Sequence, residues 1–322
     1  MMKNENIKIF DFSWGNPYFL LEILNGLYRQ KLNPYDIKNM VYGPDAGFDD
    51  LRRITKKIIK QTTGLEYKHV IITNGATHGI NIVLQLLKRQ EAPIKTVVTT
   101  QYGYPFYEDM IKHKELGRKR DLLYGGSEKF VRLIDSPSNP EGQQVRFGDP
   151  SIDIWDAVYH NEIYTNDLTT YPAHHFFISS YSKLLGVTGA RVGFVATNNM
   201  ATHLMLKNEI LKDLATISVP SQRLIVDILE KVDINRFTGL GKAYLNYNRE
   251  EFQKIEYLFD NQRVQEKGMF YCAFADKKCL ELLEKCGINY VSLGENYIRL
   301  SLGQTGSVTR AGIKTILKED GK

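Results

Sequence analysis

The densest chemical signal in this 322-residue chain lies between Ser180 and Gly193, which read Ser180-Tyr181-Ser182-Lys183, then Gly186, Gly189, Arg191 and Gly193. A strand candidate, Phe176–Ser179, runs into this loop, so hydroxyls, one lysine, several glycines and one arginine gather in one place. A lysine amine forms a Schiff base with a carbonyl only when it is neutral, so its pKa must fall well below the roughly 10.4 of a free side chain. Burial and the neighbouring Arg191 both act in that direction. The Arg191 guanidinium, with the Ser180 and Ser182 hydroxyls, has the donors to hold a dianionic phosphate. The plainer alternative is a surface lysine in a glycine-rich turn.

Three other loops follow strand candidates. Thr73-Asn74-Gly75-Ala76-Thr77-His78-Gly79 joins a strand to a helix, and its small residues (Gly75, Ala76, Thr77) leave helix N-terminal amides open to an anion. The same small-residue turn also serves purely structural ends. Asp135-Ser136-Pro137-Ser138-Asn139-Pro140-Glu141-Gly142 is a Pro/Asn/Gly turn, and Asp156-Ala157-Val158-Tyr159 follows an apolar run holding Ile152, Ile154 and Trp155. Asp153 competes with Asp156 for any role of a strand-end carboxylate.

The elements that position these loops alternate. Strand candidates at 70–73, 95–100, 131–134, 152–155, 176–179 and 194–196 are interleaved with helical patterns at 107–116 and after residue 79, where Ile80, Val83, Leu84 and Leu87 share one face. That rhythm predicts an α/β fold with a mostly parallel central sheet flanked by helices, whose ligands bind at the strands' carboxyl ends. After Val195 come long helical patterns at 201–214, 221–232 and 242–259. A smaller α+β part follows, with strands at 269–274 and 297–302 and a helix at 277–285. The expected division is a large domain over 36–235 and a small domain built from 1–35 and 236–322.

Ser180 to Phe194 resembles the lysine motif of class I/II aminotransferases, the fold type I enzymes that use pyridoxal 5'-phosphate. The likeness implies that Lys183 carries the cofactor as a Schiff base. Gly75, Ala76, Thr77, Ser180, Ser182 and Arg191 would then surround its phosphate. Asn139, in a turn similar to the family's Asn-Pro-x-Asn-Pro-x-Gly but with Ser136 in place of the first Asn, would bond the phenolic oxygen and border the substrate. Asp156 would pair with the ring nitrogen, and Tyr159 would donate to the phenolic oxygen. Tyr104, before Pro105 and Tyr107, would stack on the ring, and Tyr42 would reach the phosphate of a neighbouring subunit, making a homodimer. Arg299 would grip the substrate α-carboxylate, and Gly15-Asn16-Pro17 would close over it. Without the family, these tyrosines would be assigned to core or interface. The segments 108–135 and 140–155 are shorter than is usual there, so a flanking element is expected to be reduced.

The resemblance implies an aminotransferase moving the amino group of an L-amino acid to a 2-keto acid. A C–S or other β/γ-lyase on the same scaffold stays open, because the fate of the carbanion depends on substrate orientation. Tyr18, Phe19, Tyr102 and Tyr181 are candidates for an apolar or aromatic side-chain pocket. Composition excludes little else. The charge of +5 is mild and spread out, and no DNA- or RNA-binding motif accompanies the Lys112, Lys114, Arg118, Lys119, Arg120 cluster, so no nucleic-acid partner is expected. No apolar run of membrane length and no secretory leader are read, and the cysteines (Cys272, Cys279, Cys286) are expected as core thiols in a cytoplasmic compartment, with no metal site.

Overall fold

The computed structural model describes residues 9–13, 15–28, 41–121, 123–145, 153–165, 175–260 and 268–321. In chain order these form β1 (Phe10–Asp11), α1 (Tyr18–Leu27), α2 (Asp49–Thr63), β2 (His69–Thr73), α3 (Gly75–Lys88), β3 (Thr96–Thr99), α4 (Tyr107–His113), β4 (Gly117–Lys119) and β5 (Phe130–Asp135). Next come β6 (Asp153–Asp156), β7 (Phe176–Ser180), α5 (Tyr181–Leu184), β8 (Gly193–Thr197), α6 (Met200–Leu214), α7 (Val219–Lys231) and α8 (Ile234–Gln253). The chain closes with β9 (Phe270–Phe274), α9 (Lys277–Lys285), β10 (Ile288–Asn289), β11 (Val291–Gly294), β12 (Tyr297–Ser301) and α10 (Gly306–Glu319).

The main sheet has the order β2-β8-β7-β6-β5-β3-β4. From β7 through β6, β5 and β3 to β4 every pairing is parallel, and only β8 runs antiparallel to its neighbours β2 and β7. Every residue of β3, β6 and β8 is buried, as strands covered on both faces require. Trp155 on β6 meets Phe177 on β7 edge-to-face with ring centroids 5.1 Å apart, and its indole N–H donates to the Ser136 carbonyl at 2.8 Å. The core thereby also holds the start of the Asn139 turn.

A second sheet, β11-β12-β9, is antiparallel, and β1 pairs in parallel with β10. α8 links the two parts: Tyr244 stacks on Phe19 of α1 at 5.5 Å, and the Asn248 amide donates to the carbonyls of Leu302 and Gln304 at 2.8 Å each. The expected helix at 242–259 begins instead at Ile234, where the Asp233 carboxylate caps the Arg236 N–H, and ends at Gln253 before a short 3-10 turn. α2 is not among the elements expected from the sequence, although Leu51, Ile54, Ile58 and Ile59 recur at helical spacing. Its buried stripe, Leu51, Thr55, Ile59 and Thr63, contains two threonines whose hydroxyls bond back to the helix carbonyls of Leu51 and Ile59. The start of the 152–155 strand and much of the shortened 140–155 segment lie outside the described residues.

Candidate active site

The parallel register brings the ends of β5, β6 and β7 to one edge, so Asp135, Asp156 and Ser180 emerge side by side. A cavity of about 560 Å³ opens there. Gly15, Ala76, Thr77, Tyr104, Asn139, Asp156, Tyr159, Ser180, Ser182, Lys183, Arg191 and Arg299 all line it. These come from sequence positions as far apart as 15 and 299, and each is a candidate that the sequence motifs name.

One end of the cavity is rich in donors. Arg191 sits at φ 53, a left-handed conformation that costs a non-glycine residue roughly 1–2 kcal/mol. It ends a 3-10 turn (Thr188–Ala190), and its guanidinium donates to the Thr188 carbonyl at 3.2 Å. That geometry lays the guanidinium against Gly75, where a Cβ would lie only 2.8 Å from Arg191 Nη2. Gly75 itself has φ +77, so it opens α3 in a way that few other residues permit. Ser180 caps α5 by accepting the Ser182 N–H at 3.1 Å, which places the two hydroxyls 2.9 Å apart beside Arg191 in the cavity wall.

Lys183 projects from α5, and its carbonyl accepts the buried Tyr164 hydroxyl at 2.9 Å. Its Nζ donates to the Gly15 carbonyl at 2.5 Å. Burial, then the charges of Arg191 and Arg299, lowers its pKa to about 8. The causes anticipated from sequence therefore operate, and Arg299 adds a third.

Carboxylates line the same cavity. Asp156 accepts the Tyr107 hydroxyl at 2.7 Å and the Val158 N–H at 3.2 Å. Burial raises its pKa to about 7, the Tyr107 bond works against that rise, and the charge of Asp135 adds to it. The rival Asp153 lies on the same strand but does not line the cavity, and faces Arg132 at 3.7 Å. Arg299, on β12, donates to Asn139 Oδ1 and to the Ser13 carbonyl, each at 3.0 Å, above the Phe270 ring. Its Nε is buried with no hydrogen-bond partner among the described residues.

The four aromatic residues suggested for a side-chain pocket do not line it. Phe19 is buried against α8, Tyr102 packs on Tyr297 at 5.3 Å, Tyr18 accepts from the Asn16 amide at the surface, and Tyr181 turns inward to share a hydrogen bond with Thr55 at 2.7 Å. Phe106, Phe270, Val158 and Val291 supply the apolar wall instead. Tyr42 is 85% exposed and lies outside this chain's own cavity. Asp135 and Tyr107 stand within the sequence motifs, which assign them no role. Nothing local marks a residue that acts on a strand end far away in sequence.

Clustered hydrogen-bond donors, buried carboxylates and a neutralisable amine lining one cavity suit a ligand with a phosphate, a carbonyl and a basic ring nitrogen. The fold is that of the fold type I enzymes, and the site has the donor set that pyridoxal phosphate would need. The chain belongs to the allinase family (Alliinase_C), whose model matches residues 49–279. It is 26% identical over 204 residues to tryptophan aminotransferase-related protein 1 of Oryza sativa subsp. japonica; the match covers 61% of this chain and 46% of the relative, so the chain spans about half of that protein's length. It is also 26% identical over 320 residues to the (5-formylfuran-3-yl)methyl phosphate transaminase of Methanocaldococcus jannaschii, covering 85% of this chain and 82% of that one. In fold it resembles a Methanococcus jannaschii protein described as similar in its active site to kynurenine aminotransferases. The TM-score is 0.80 at 18% identity, over 97% of this chain and 91% of the other.

Proposed function

We propose that this protein is a pyridoxal-phosphate-dependent aminotransferase that moves the amino group of an L-amino acid to a 2-keto acid. The observation that carries the reading is Lys183: an amine lowered to about 8 between two arginines, in a cavity that Asp156 and Asn139 share. When bound, pyridoxal phosphate supplies a sink for the electron pair left as the substrate's α C–H bond breaks. Arg191, Ser180, Ser182 and the amides of Gly75, Ala76 and Thr77 would hold its phosphate, and Asp156 its ring nitrogen. Asn139 and Tyr159 would donate to its phenolic oxygen, and Tyr104 would lie against the ring. Arg299 binds the substrate α-carboxylate while the Gly15 segment closes over it. Lys183 Nζ, neutral above pH 8, removes the proton from the substrate Cα as general base.

Supporting the same reading, the named curated relatives include a transaminase and an aminotransferase-related protein. We also assign 36–235 to a large domain and 1–35 with 236–322 to a small one. The exposure of Tyr42 supports a homodimer in which that tyrosine reaches the second copy's phosphate site. Three buried free thiols support a reducing, cytoplasmic compartment. Among the described residues no helix is long and apolar enough to cross a membrane.

The test is to mix the cofactor-loaded enzyme with a panel of L-amino acids, without keto acid, and identify the products. One keto acid per site, with the amino group retained on the cofactor, is the expected result, and Lys183→Ala should abolish it. Released ammonia or a cleaved side chain would make the protein a β/γ-lyase and overturn the transferase reading.

A further inference from the structure

Asp135 and Asp156 end adjacent parallel strands and are register partners across them. Both are buried, 3% and 6% exposed, and both line the cavity. Burying two carboxylates side by side is costly unless a proton or a cation compensates. Asp153, three residues before Asp156, has such a cation in Arg132. Among the described residues neither Asp135 nor Asp156 has an ion-pair partner. Their bonds come from neutral donors: Thr100 Oγ1 at 2.9 Å and the Asn139 N–H at 2.8 Å to Asp135, and Tyr107 with the Val158 N–H to Asp156.

A residue needed only to pin the Asn139 turn requires an acceptor oxygen, which asparagine or serine offers without the cost of a buried charge. Asp135 instead places a second negative charge beside Asp156. We propose that Asp135 is a positioning residue acting through Asp156: the two carboxylates form a paired anion at the ring-nitrogen end of the cofactor, and together hold that nitrogen protonated. The inference rests on the cofactor reading above. The missing cation of the pair is then the ring nitrogen itself, and the second anion strengthens the electron sink by keeping the proton there.

The groups facing the pair are Thr100 after β3, Tyr104 before α4 and Tyr107 at its start, Arg118 on β4, Asn139 in the turn, and Val158 and Tyr159 after β6. Arg118 is the cation among them, and its guanidinium is already engaged by Glu108 at 2.6 Å and Thr99 at 2.9 Å. It works against the rise of Asp135, whose pKa burial nonetheless pushes up to about 6.

Asp135→Asn removes the charge, keeps an oxygen to accept the Asn139 N–H and turns its NH2 to the Thr100 hydroxyl, which can accept as well as donate, while Thr100→Val keeps the charge and loosens the carboxylate. The apoprotein is titrated by carbon-13 NMR of the Asp156 carboxyl. The loaded protein is titrated by the nitrogen-15 shift of labelled pyridoxal phosphate. Asp135→Asn is expected to lower the Asp156 midpoint by about one pH unit. It should lower the pH at which the ring nitrogen loses its proton by about one unit as well, a tenfold change in that equilibrium. Asp135→Ser, which also keeps an oxygen acceptor, should give the same shifts, and Thr100→Val should leave both midpoints near wild type. Unmoved midpoints in both Asp135 variants, or equal shifts in Thr100→Val, would reduce Asp135 to a turn pin. If the wild type takes up no cofactor, the cofactor reading itself fails, and the apoprotein titration still reports separately whether the carboxylates are coupled.

Discussion

Replacing Gly193 with alanine sets a methyl group against backbone that has nowhere to go. A Cβ there would lie 2.5 Å from the Gly75 carbonyl carbon, 2.7 Å from Ala76 N and 2.8 Å from Gly75 Cα, whereas ordinary contact begins at 3.4 Å. Gly193 cannot yield, because it is paired with Thr73 of β2 on one side and Ser180 of β7 on the other. The first turn of α3 must therefore retreat by nearly an ångström. Overpacking of this kind costs about 1–3 kcal/mol. Gly75 is also where Arg191 rests, so the retreat parts the guanidinium from the helix amides and should weaken cofactor binding at least about tenfold, or ~1.4 kcal/mol. Urea unfolding of the apoprotein and a cofactor titration measure the two effects. Gly189→Ala is the internal control: a Cβ there meets nothing within 4 Å, so it should stay within about 0.5 kcal/mol of wild type. Wild-type stability and affinity in Gly193→Ala, or greater damage from Gly189→Ala, would refute the close-approach argument.

Lys183 titrates near pH 8 when folded and near 10.5 when unfolded, so between those values the unfolded chain binds the extra proton. Apoprotein stability should therefore gain a contribution as pH rises through that window, and urea midpoints of Lys183→Met should lack it. Tyr107→Phe leaves a buried Asp156 oxygen without its donor. The expected cost is about 1–3 kcal/mol in urea unfolding, with an Asp156 midpoint above wild type because a contact that lowers it is gone. Arg299→Lys cannot serve Asn139, Ser13 and a carboxylate in one plane. Steady-state kinetics should show kcat/KM falling about 10–100-fold, chiefly through KM, and an unchanged KM would remove Arg299 from the carboxylate site.

What the sequence determined alone is local. The run from Ser180 to Gly193 dictates a strand, a capped turn and a return strand, because hydroxyl caps and glycines act over a few residues. The alternation of β-rich and helical runs likewise requires a mostly parallel sheet, whose carboxyl ends collect the loops. The tertiary structure decided which side chains meet. Tyr181 adjoins Ser182 and Lys183 in sequence yet points away from the cavity to Thr55, since successive residues of the α5 turn are rotated by roughly 100° about its axis. Asp135 meets Asp156, and Tyr107 reaches Asp156, through the pairing of β5 with β6 and the packing of α4 beyond them. Spacing along the chain constrains a backbone turn by turn. Register between strands is set by burial summed over the whole sheet, and that sum is written in no single segment.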